Sequence, residues 1–377
     1  MNKFKFVFLA ALYLDLCVDA NAQAIINEKI ESKTKVNEKS IEAFCKLASS
    51  FNVPINDLLN RKDQYLWNDW IFYKVVEEIA NENFPEKDLN FKILFVWHVL
   101  NKANYDVRLF YGDQFSIWVK SNESLGNLRS RLINNVQYIC TNLVKGNGIV
   151  YESKVSCTTR GSSTFSFVID RSPNFPNNKI ENYEQVFYDS VIHNKFLDIQ
   201  LCANDRYLDM LYTYPNISLK NLVRLPLSKD VHDCLKENLF SLMSGADDIS
   251  KIKFLYQYVR GAIFDIEEMD DDLESKFAYK EKWMTPEETI STAFVDSRAK
   301  SVLLSYLIKE IADVPIVIVS YENGRFNIGV SLETYGIKGD FKHEGLSYVV
   351  CDPSVFTERF GDNKLYQTKK YRIAAKL

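Results

Sequence analysis

The chain has 377 residues, of which 46% are hydrophobic and 14% aromatic, which is enough material for two or three packed units. Its formal net charge is -4, and neither the balance nor the distribution of Lys and Arg forms a basic face, which excludes a nucleic-acid-binding surface. No other partner class follows from charge, and the oligomeric state is left open.

The first residues have the features of an export signal. Lys3 and Lys5 precede an apolar run over residues 6–16, and residues 20–22 then supply a small-x-small cleavage pattern. We therefore expect a signal peptide over residues 1-22 and a protein exported to the periplasm or the cell exterior. No later stretch approaches the roughly 20 apolar residues of a transmembrane helix, so no membrane span is expected.

The seven cysteines give little direct guidance. Cys17 follows the apolar run and raises a lipoprotein alternative, but Asp15 and Leu16 are a poor approach to a lipidation site. The other six are Cys45, Cys140, Cys157, Cys202, Cys234 and Cys351. An exported protein could oxidise them, yet their spacing matches neither a disulfide framework nor a metal site, so most are expected to be buried thiols. The four histidines are scattered, and we expect no metal and no cofactor.

Residues 23-125 are predicted to form a helical region that ends in a β-hairpin. Between residues 35 and 104, apolar residues recur at three- and four-residue steps, which is typical of amphipathic helices. From residue 107 to residue 119 the pattern alternates about a Gly112-Asp113 turn, which predicts a hairpin.

Residues 126-226 are predicted to form a β-rich region. The expected strands cover residues 149–157, 164–170, 196–202 and 207–214. Between them, residues 171–179 are rich in Pro and Asn and read as a loop or linker. The sequence leaves open whether these first two regions form one domain or two.

Residues 227-377 are predicted to alternate helices with a terminal sheet, which makes the chain an α+β protein. The expected elements are helices at 231–243 and 249–263, a helix opening at Ser297, and antiparallel strands at 315–321, 327–332 and 346–351. The acidic run at 267–274 lacks the glycine and terminal glutamate of a calcium-binding loop, so we expect a solvated loop there.

The helix that opens at Ser297 is the strongest candidate for a functional element. Asp296 is a plausible N-cap, and the apolar residues that define the buried stripe are Val302, Leu303, Tyr306, Leu307 and Ile311. Backbone N–H groups at a helix N-terminus lack intrahelical partners and stabilise a thiolate or an oxyanion. An acyl-transfer enzyme would place its nucleophile at such a position.

Several motifs in this region carry a family resemblance. They are FLYQYVRGAIFD, Trp283 followed by PEET, a polar residue opening a helix that continues AKSVLLSYLI, then GRFNIGVSL and YVVCDPS. In this order they resemble the bacterial transglutaminase-like proteins of the papain-type superfamily, over roughly residues 228-360. The upstream stretch LFVWHVLNKANYDVRLFYGDQFSIWV is similar to the amino-terminal region of exported relatives. The resemblance implies a transglutaminase-like domain at 227-377 with a papain-type core, a helix followed by an antiparallel sheet.

The chemistry of this family requires a Cys-His-Asp triad, in which the thiolate attacks an amide and the imidazole moves the proton. Carried over by motif, the three positions are Ser297, Arg325 and Asp352, so only the aspartate is kept. Arg298 and Ala299 also depart from the acidic part of the family motif. A guanidinium cannot accept a proton at neutral pH, so the hydroxyl at position 297 has no base.

The resemblance therefore implies a non-catalytic protein. It would bind an extended peptide or protein partner in a former active-site groove, or serve as a scaffold. Arg325 is expected to pair with Asp352 or to bind a peptide carboxylate or carbonyl, and Trp283 to line the groove. The alternative is a residual amidase, protease or acyltransferase that uses the Ser297 hydroxyl or an unforeseen thiol. Cys351 is a poor substitute, because successive strand side chains point to opposite faces and it is expected in the core.

Overall fold

The computed structural model describes residues 36–48, 54–123, 125–126, 128–142, 150–157, 161–175, 180–265, 283–292, 294–322, 324–354, 360–361 and 370–377. The chain divides into two compact units between Ile169 and Asp170. The expected signal peptide and the acidic run at 267–274 lie outside the described residues. The division at residues 125 and 226 that the sequence suggested stays a prediction.

The first unit begins with the helices that the sequence predicts. They are α1 (Glu38–Ala48), α2 (Ile55–Gln64), α3 (Asp69–Asn83) and α4 (Leu89–Lys102). Asn68 and Asp88 cap α3 and α4, because each side chain accepts a hydrogen bond from a backbone N–H of the first turn, at 2.9 Å. Ten of the residues of α4 are buried, so this helix forms the centre of the unit's core.

An antiparallel sheet completes the first unit. Its strands are β1 (Val107–Tyr111), β2 (Phe115–Lys120), β3 (Ser130–Ile133), β4 (Val136–Cys140) and β5 (Tyr151–Glu152), in the order β3-β4-β2-β1-β5. The predicted hairpin about Gly112-Asp113 is confirmed as β1 and β2. The hairpin of β3 and β4 was not predicted, because its exposed residues break the alternation that indicates a strand.

The predicted strand at 164–170 is wrong. That segment has no regular hydrogen-bond ladder. Phe165 N–H makes one backbone bond to the Lys120 carbonyl at 2.8 Å, and carboxylates take the next two N–H groups: Ser166 N–H donates to Asp69 at 2.7 Å and Phe167 N–H to Glu123 at 2.8 Å. Phe167 is fully buried, so the alternation in the sequence reflects burial and not strand pairing. Of the predicted strand at 149–157, only β5 forms.

The second unit begins with a long two-stranded hairpin, β6 (Ile180–Asp189) and β7 (Lys195–Asn204). Three helices follow: α5 (Asp205–Tyr212), α6 (Leu219–Val223) and α7 (Lys229–Asn238). The predicted strand at 207–214 is wrong, because α5 occupies most of it. Asn204 caps α5 by accepting a hydrogen bond from Tyr207 N–H at 2.9 Å, and Tyr207, Met210 and Leu211 are buried at helical spacing.

The remainder of the second unit contains the predicted helix and sheet. The elements are α8 (Asp248–Ala262), β8 (Phe264–Asp265), α9 (Pro286–Ile290), β9 (Phe294–Val295), α10 (Ser297–Ile311), β10 (Ile316–Tyr321), β11 (Phe326–Val330), β12 (Phe341–His343), β13 (Leu346–Cys351) and β14 (Tyr371–Lys376). The five-stranded antiparallel sheet has the order β12-β13-β11-β10-β14. Helix α10 packs against α8 and β11 around one hydrophobic core. The α+β class is therefore confirmed, and the papain-type core stays a prediction.

The expectation that most of the cysteines are buried thiols is wrong. Four of them form two disulfides, Cys45–Cys157 in the first unit and Cys202–Cys234 in the second. The partners lie 112 and 32 residues apart, so no local spacing indicated them. Cys140 and Cys351 are buried free thiols, as expected. The disulfides fit an oxidising compartment outside the cytoplasm. Over the described ranges, no helix has the length and apolar character to cross a membrane.

Candidate functional site

The N-terminus of α10 is built as the sequence predicts. The Asp296 carboxylate caps the helix, since its Oδ1 accepts a hydrogen bond from Ala299 N–H at 2.9 Å. Its Oδ2 accepts a second hydrogen bond from Nε of Arg298 at 2.6 Å. The Asp296 carboxylate therefore binds both the first turn of α10 and the Arg298 side chain. These two bonds fix the N-terminus of the helix, where Ser297 is the first residue.

The Ser297 hydroxyl is buried and bonded to the sheet. Ser297 is only 2% exposed, and its Oγ accepts a hydrogen bond from Phe326 N–H at 3.2 Å. One helical turn later, Ser301 Oγ donates to the Phe326 carbonyl at 3.0 Å. The two serines therefore hold both backbone polar groups of Phe326 and tie α10 to the first residue of β11.

The three positions of the expected triad lie at one end of the sheet. Strand β11 begins immediately after Arg325, and β13 ends immediately before Asp352. Because Ile328 lies opposite Cys351 in the register of these neighbouring strands, Arg325 and Asp352 lie at the same end. Ser297 bonds to the residue after Arg325, which brings the helix start to that end too. Their functional roles stay predictions.

The Asp352 side chain closes a turn. Its Oδ1 accepts hydrogen bonds from Ser354 N–H at 2.9 Å and from Ser354 Oγ at 2.5 Å, and Asp352 is 5% exposed. Its backbone carbonyl accepts a hydrogen bond from the Tyr256 hydroxyl at 3.0 Å. Arg325 is half-buried, and its carbonyl accepts a bond from Tyr321 N–H that closes the hairpin of β10 and β11. The expected ion pair between Arg325 and Asp352 stays a prediction.

Trp283 lies beside the helix start. Its ring centroid is 4.7 Å from that of Phe326 in an edge-to-face arrangement, and the Arg298 guanidinium lies 5.8 Å from the Trp283 ring. Trp283 is partly buried against the core of the unit. The sequence singled out Trp283, and it matched Ser301 to the family motif without assigning it a role. Phe326, which contacts Trp283 and bonds to both serines, was missed.

The free thiols are poor nucleophiles. Cys351 is 1% exposed, and burial raises the pKa of its thiol well above the ordinary value. Cys140 lies in the first unit, where burial raises its pKa to about 12. Both thiols therefore stay protonated near neutral pH. Among the described residues, no group of three or more His, Cys, Asp and Glu side chains could hold a metal ion.

The PEET motif contains a buried carboxyl group that sequence reasoning missed. Thr285 and Glu288 form a capping box at the start of α9, which turns Glu287 inward. Glu287 is 1% exposed and accepts hydrogen bonds from Ser228 N–H at 2.5 Å and from Ser228 Oγ at 2.8 Å. Burial raises the pKa of Glu287 to about 8. This contact joins α9 to the residue that precedes α7.

Comparisons with known proteins add no family assignment. No family model matches the chain, and searches of curated proteins and of solved structures also return no match. The likeness to transglutaminase-like proteins therefore rests on the sequence motifs alone.

Replacing Ser297 with alanine should destabilise the second unit by about 1–3 kcal/mol, because Phe326 N–H would lose its acceptor in a partly buried position. Urea denaturation measures this loss. Ser305→Ala is the matched control, since Ser305 lies on the same helix and its buried Oγ has no hydrogen-bond partner among the described residues, so its removal should be neutral or stabilising. Equal losses in the two variants would contradict a structural role for the Ser297 hydroxyl.

Proposed function

We propose that residues 227-377 form a non-catalytic transglutaminase-like domain of an exported protein, which binds an extended peptide or protein partner beside the former active-site positions or serves as a scaffold. The observation that carries the proposal is the Ser297 hydroxyl, which is buried and bonded to Phe326 N–H. A nucleophilic hydroxyl must reach its substrate and give its proton to a base. Burial opposes the first requirement, and Arg325 at the base position cannot meet the second.

The surface beside Ser297 suits a peptide more than a small reactive substrate. Trp283, Arg298 and Arg325 are all half-buried, so each has some surface open to solvent. A guanidinium binds carboxylate or carbonyl oxygens through its fork of N–H donors, and an indole ring adds apolar contact area. The export expected from residues 1-22 is supported by the two disulfides.

Labelling and turnover test the absence of catalysis. The full mature chain is exposed to a serine-reactive fluorophosphonate, a thiol-reactive iodoacetamide and generic glutamine-containing peptides with an amine donor. We expect no label on Ser297, and the same background turnover in the wild type and in Ser297→Ala. Turnover that disappears in Ser297→Ala would show that the domain is a residual amidase, protease or acyltransferase.

Restoring the family residues tests the position of the former site. The variant Ser297→Cys with Arg325→His should react with iodoacetamide at least about tenfold faster than Ser297→Cys alone, because an imidazole beside a helix N-terminus favours the thiolate. Ser301→Cys with Arg325→His is the matched control, one turn further along the helix. If both pairs react at the same rate, position 297 is not the former nucleophile position.

A further inference from the structure

Strand β3 forms one edge of the sheet in the first unit. Within the described part of the chain it pairs only with β4, over Ser130–Ile133. Ser130, Arg131 and Leu132 are exposed, and Leu132 has 72% of its surface open to solvent. An exposed edge strand presents backbone groups that another extended chain can use.

The direction of the free backbone groups follows from the ladder. Cys140 N–H donates to the Arg129 carbonyl at 2.9 Å, so Arg129 faces β4 with its hydrogen-bonding groups. Such pairs alternate along an antiparallel ladder, so Arg131 is the next residue bonded to β4. The N–H and C=O groups of Ser130 and Leu132 therefore point away from the sheet, and together they offer two donors and two acceptors to an added strand.

Arg131 supplies a fixed positive charge on one face of this edge. Its guanidinium lies 5.2 Å from the Phe110 ring and 5.6 Å from the Trp118 ring, and both rings are buried in a hydrophobic cluster on this sheet. Across the described residues, no acidic side chain forms an ion pair with Arg131. Arg108 on the same face differs, because it pairs with Glu152 at 2.6 Å. The stacked guanidinium of Arg131 is thus held in place with its hydrogen-bonding edge available.

We propose that β3 binds an extended acidic segment of a partner protein, which adds to this sheet as a further strand. Carboxylates of that segment would lie on the face of β3 that carries Arg131. Since strand side chains alternate, the residues between the carboxylates would lie on the face of Leu132 and be apolar. A second copy of this chain is a poor occupant, because pairing two β3 edges would bring their arginines together. This site lies in the first unit and is separate from the proposed function of the second.

The test uses the full mature chain and a short acetylated peptide of alternating Glu and Val. Amide hydrogen exchange at Ser130 and Leu132 is measured by NMR. At a peptide concentration about ten times the dissociation constant, exchange at both amides should slow by about tenfold. A matched peptide of alternating Lys and Val should give no protection. Absence of protection by the acidic peptide overturns the proposal.

Charge variants separate strand addition from general attraction of anions. Arg131→Glu should abolish protection by the acidic peptide and create protection by the basic one, and Arg131→Gln, a milder change, should weaken acidic binding by at least about tenfold. Lys39→Glu makes the same charge change at an exposed position of α1 and should have no effect. Dextran sulfate is the competing polyanion. If it binds as tightly as the peptide and the peptide leaves Ser130 and Leu132 exchange unchanged, the surface is a general anion site and the proposal is wrong.

Discussion

Loss of the Cys45–Cys157 disulfide is expected to lower the free energy of unfolding of the first unit by about 4–5 kcal/mol. The bond joins α1 to the segment that follows β5, across a sequence separation of 112 residues. A cross-link over so long a loop removes much of the conformational freedom of the unfolded chain, and the entropy of loop closure gives this magnitude. The second bridge closes a separation of 32 residues, so the same relation predicts a smaller effect, about 3–4 kcal/mol.

The experiment compares the wild type with Cys45→Ser and Cys157→Ser combined. Guanidinium denaturation followed by a probe in the first unit gives the loss under oxidising conditions. The control is the same pair of proteins in a reducing agent, where the two curves should converge because the wild type has lost the bond as well. A double variant as stable as the oxidised wild type would contradict the prediction. Non-reducing mass analysis of peptides would then show whether the bond forms.

Helices were predicted well where capping and periodicity agree. Helix α10 combines the Asp296 cap with apolar residues at three- and four-residue steps, and it forms over Ser297–Ile311 with that cap in place. Both signals are local, since a cap and a turn involve residues no more than four apart. The strands at 315–321, 327–332 and 346–351 were also predicted to within two residues, because each is a short segment rich in Val, Ile or aromatic residues between turns.

The errors occurred where burial and strand propensity diverge. The segment at 207–214 is rich in Tyr, which favours strands, but Asn204 caps it as α5. The segment at 164–170 alternates, yet it makes one backbone bond to the end of β2, and Asp69 and Glu123 accept its next two N–H groups in place of a ladder. The first outcome depends on a single cap and the second on carboxylates that are distant along the chain. A cap or a distant carboxylate leaves the apolar pattern of the segment unchanged, so the pattern does not reveal it.

The candidate site shows the same limit. The motifs predict that Ser297, Arg325 and Asp352 lie together, and the structure brings their backbone positions to one end of a sheet. The contact of Ser297 with Phe326 joins residues 29 apart, and that of Glu287 with Ser228 joins residues 59 apart. No spacing rule relates such pairs, so the sequence does not predict the burial of the Ser297 hydroxyl or of the Glu287 carboxyl.

The buried carboxyl of Glu287 should make the second unit less stable as pH rises. Burial raises the pKa of Glu287 from an ordinary value of 4.5 to about 8, so the folded state keeps a proton that the unfolded chain releases. This contribution to stability is fully present below about pH 4.5 and is lost as pH rises through about 8. Within this window the free energy of unfolding should fall by about 1.4 kcal/mol per pH unit, or about 4–5 kcal/mol in total.

Glu287→Gln isolates this effect. The amide keeps the size of the side chain, and its oxygen can accept from Ser228 N–H while its NH₂ donates to Ser228 Oγ. The variant and the wild type should be similarly stable near pH 5, and the variant should be several kcal/mol more stable near pH 8, as measured by urea denaturation across the range. Glu184→Gln, at an exposed position of β6, removes the same charge and should leave the wild-type pH dependence intact. Parallel curves for the wild type and Glu287→Gln would show that Glu287 is ionised in the folded protein. The two bonds from Ser228 would then have outweighed the cost of burying the charge, because both favour the carboxylate.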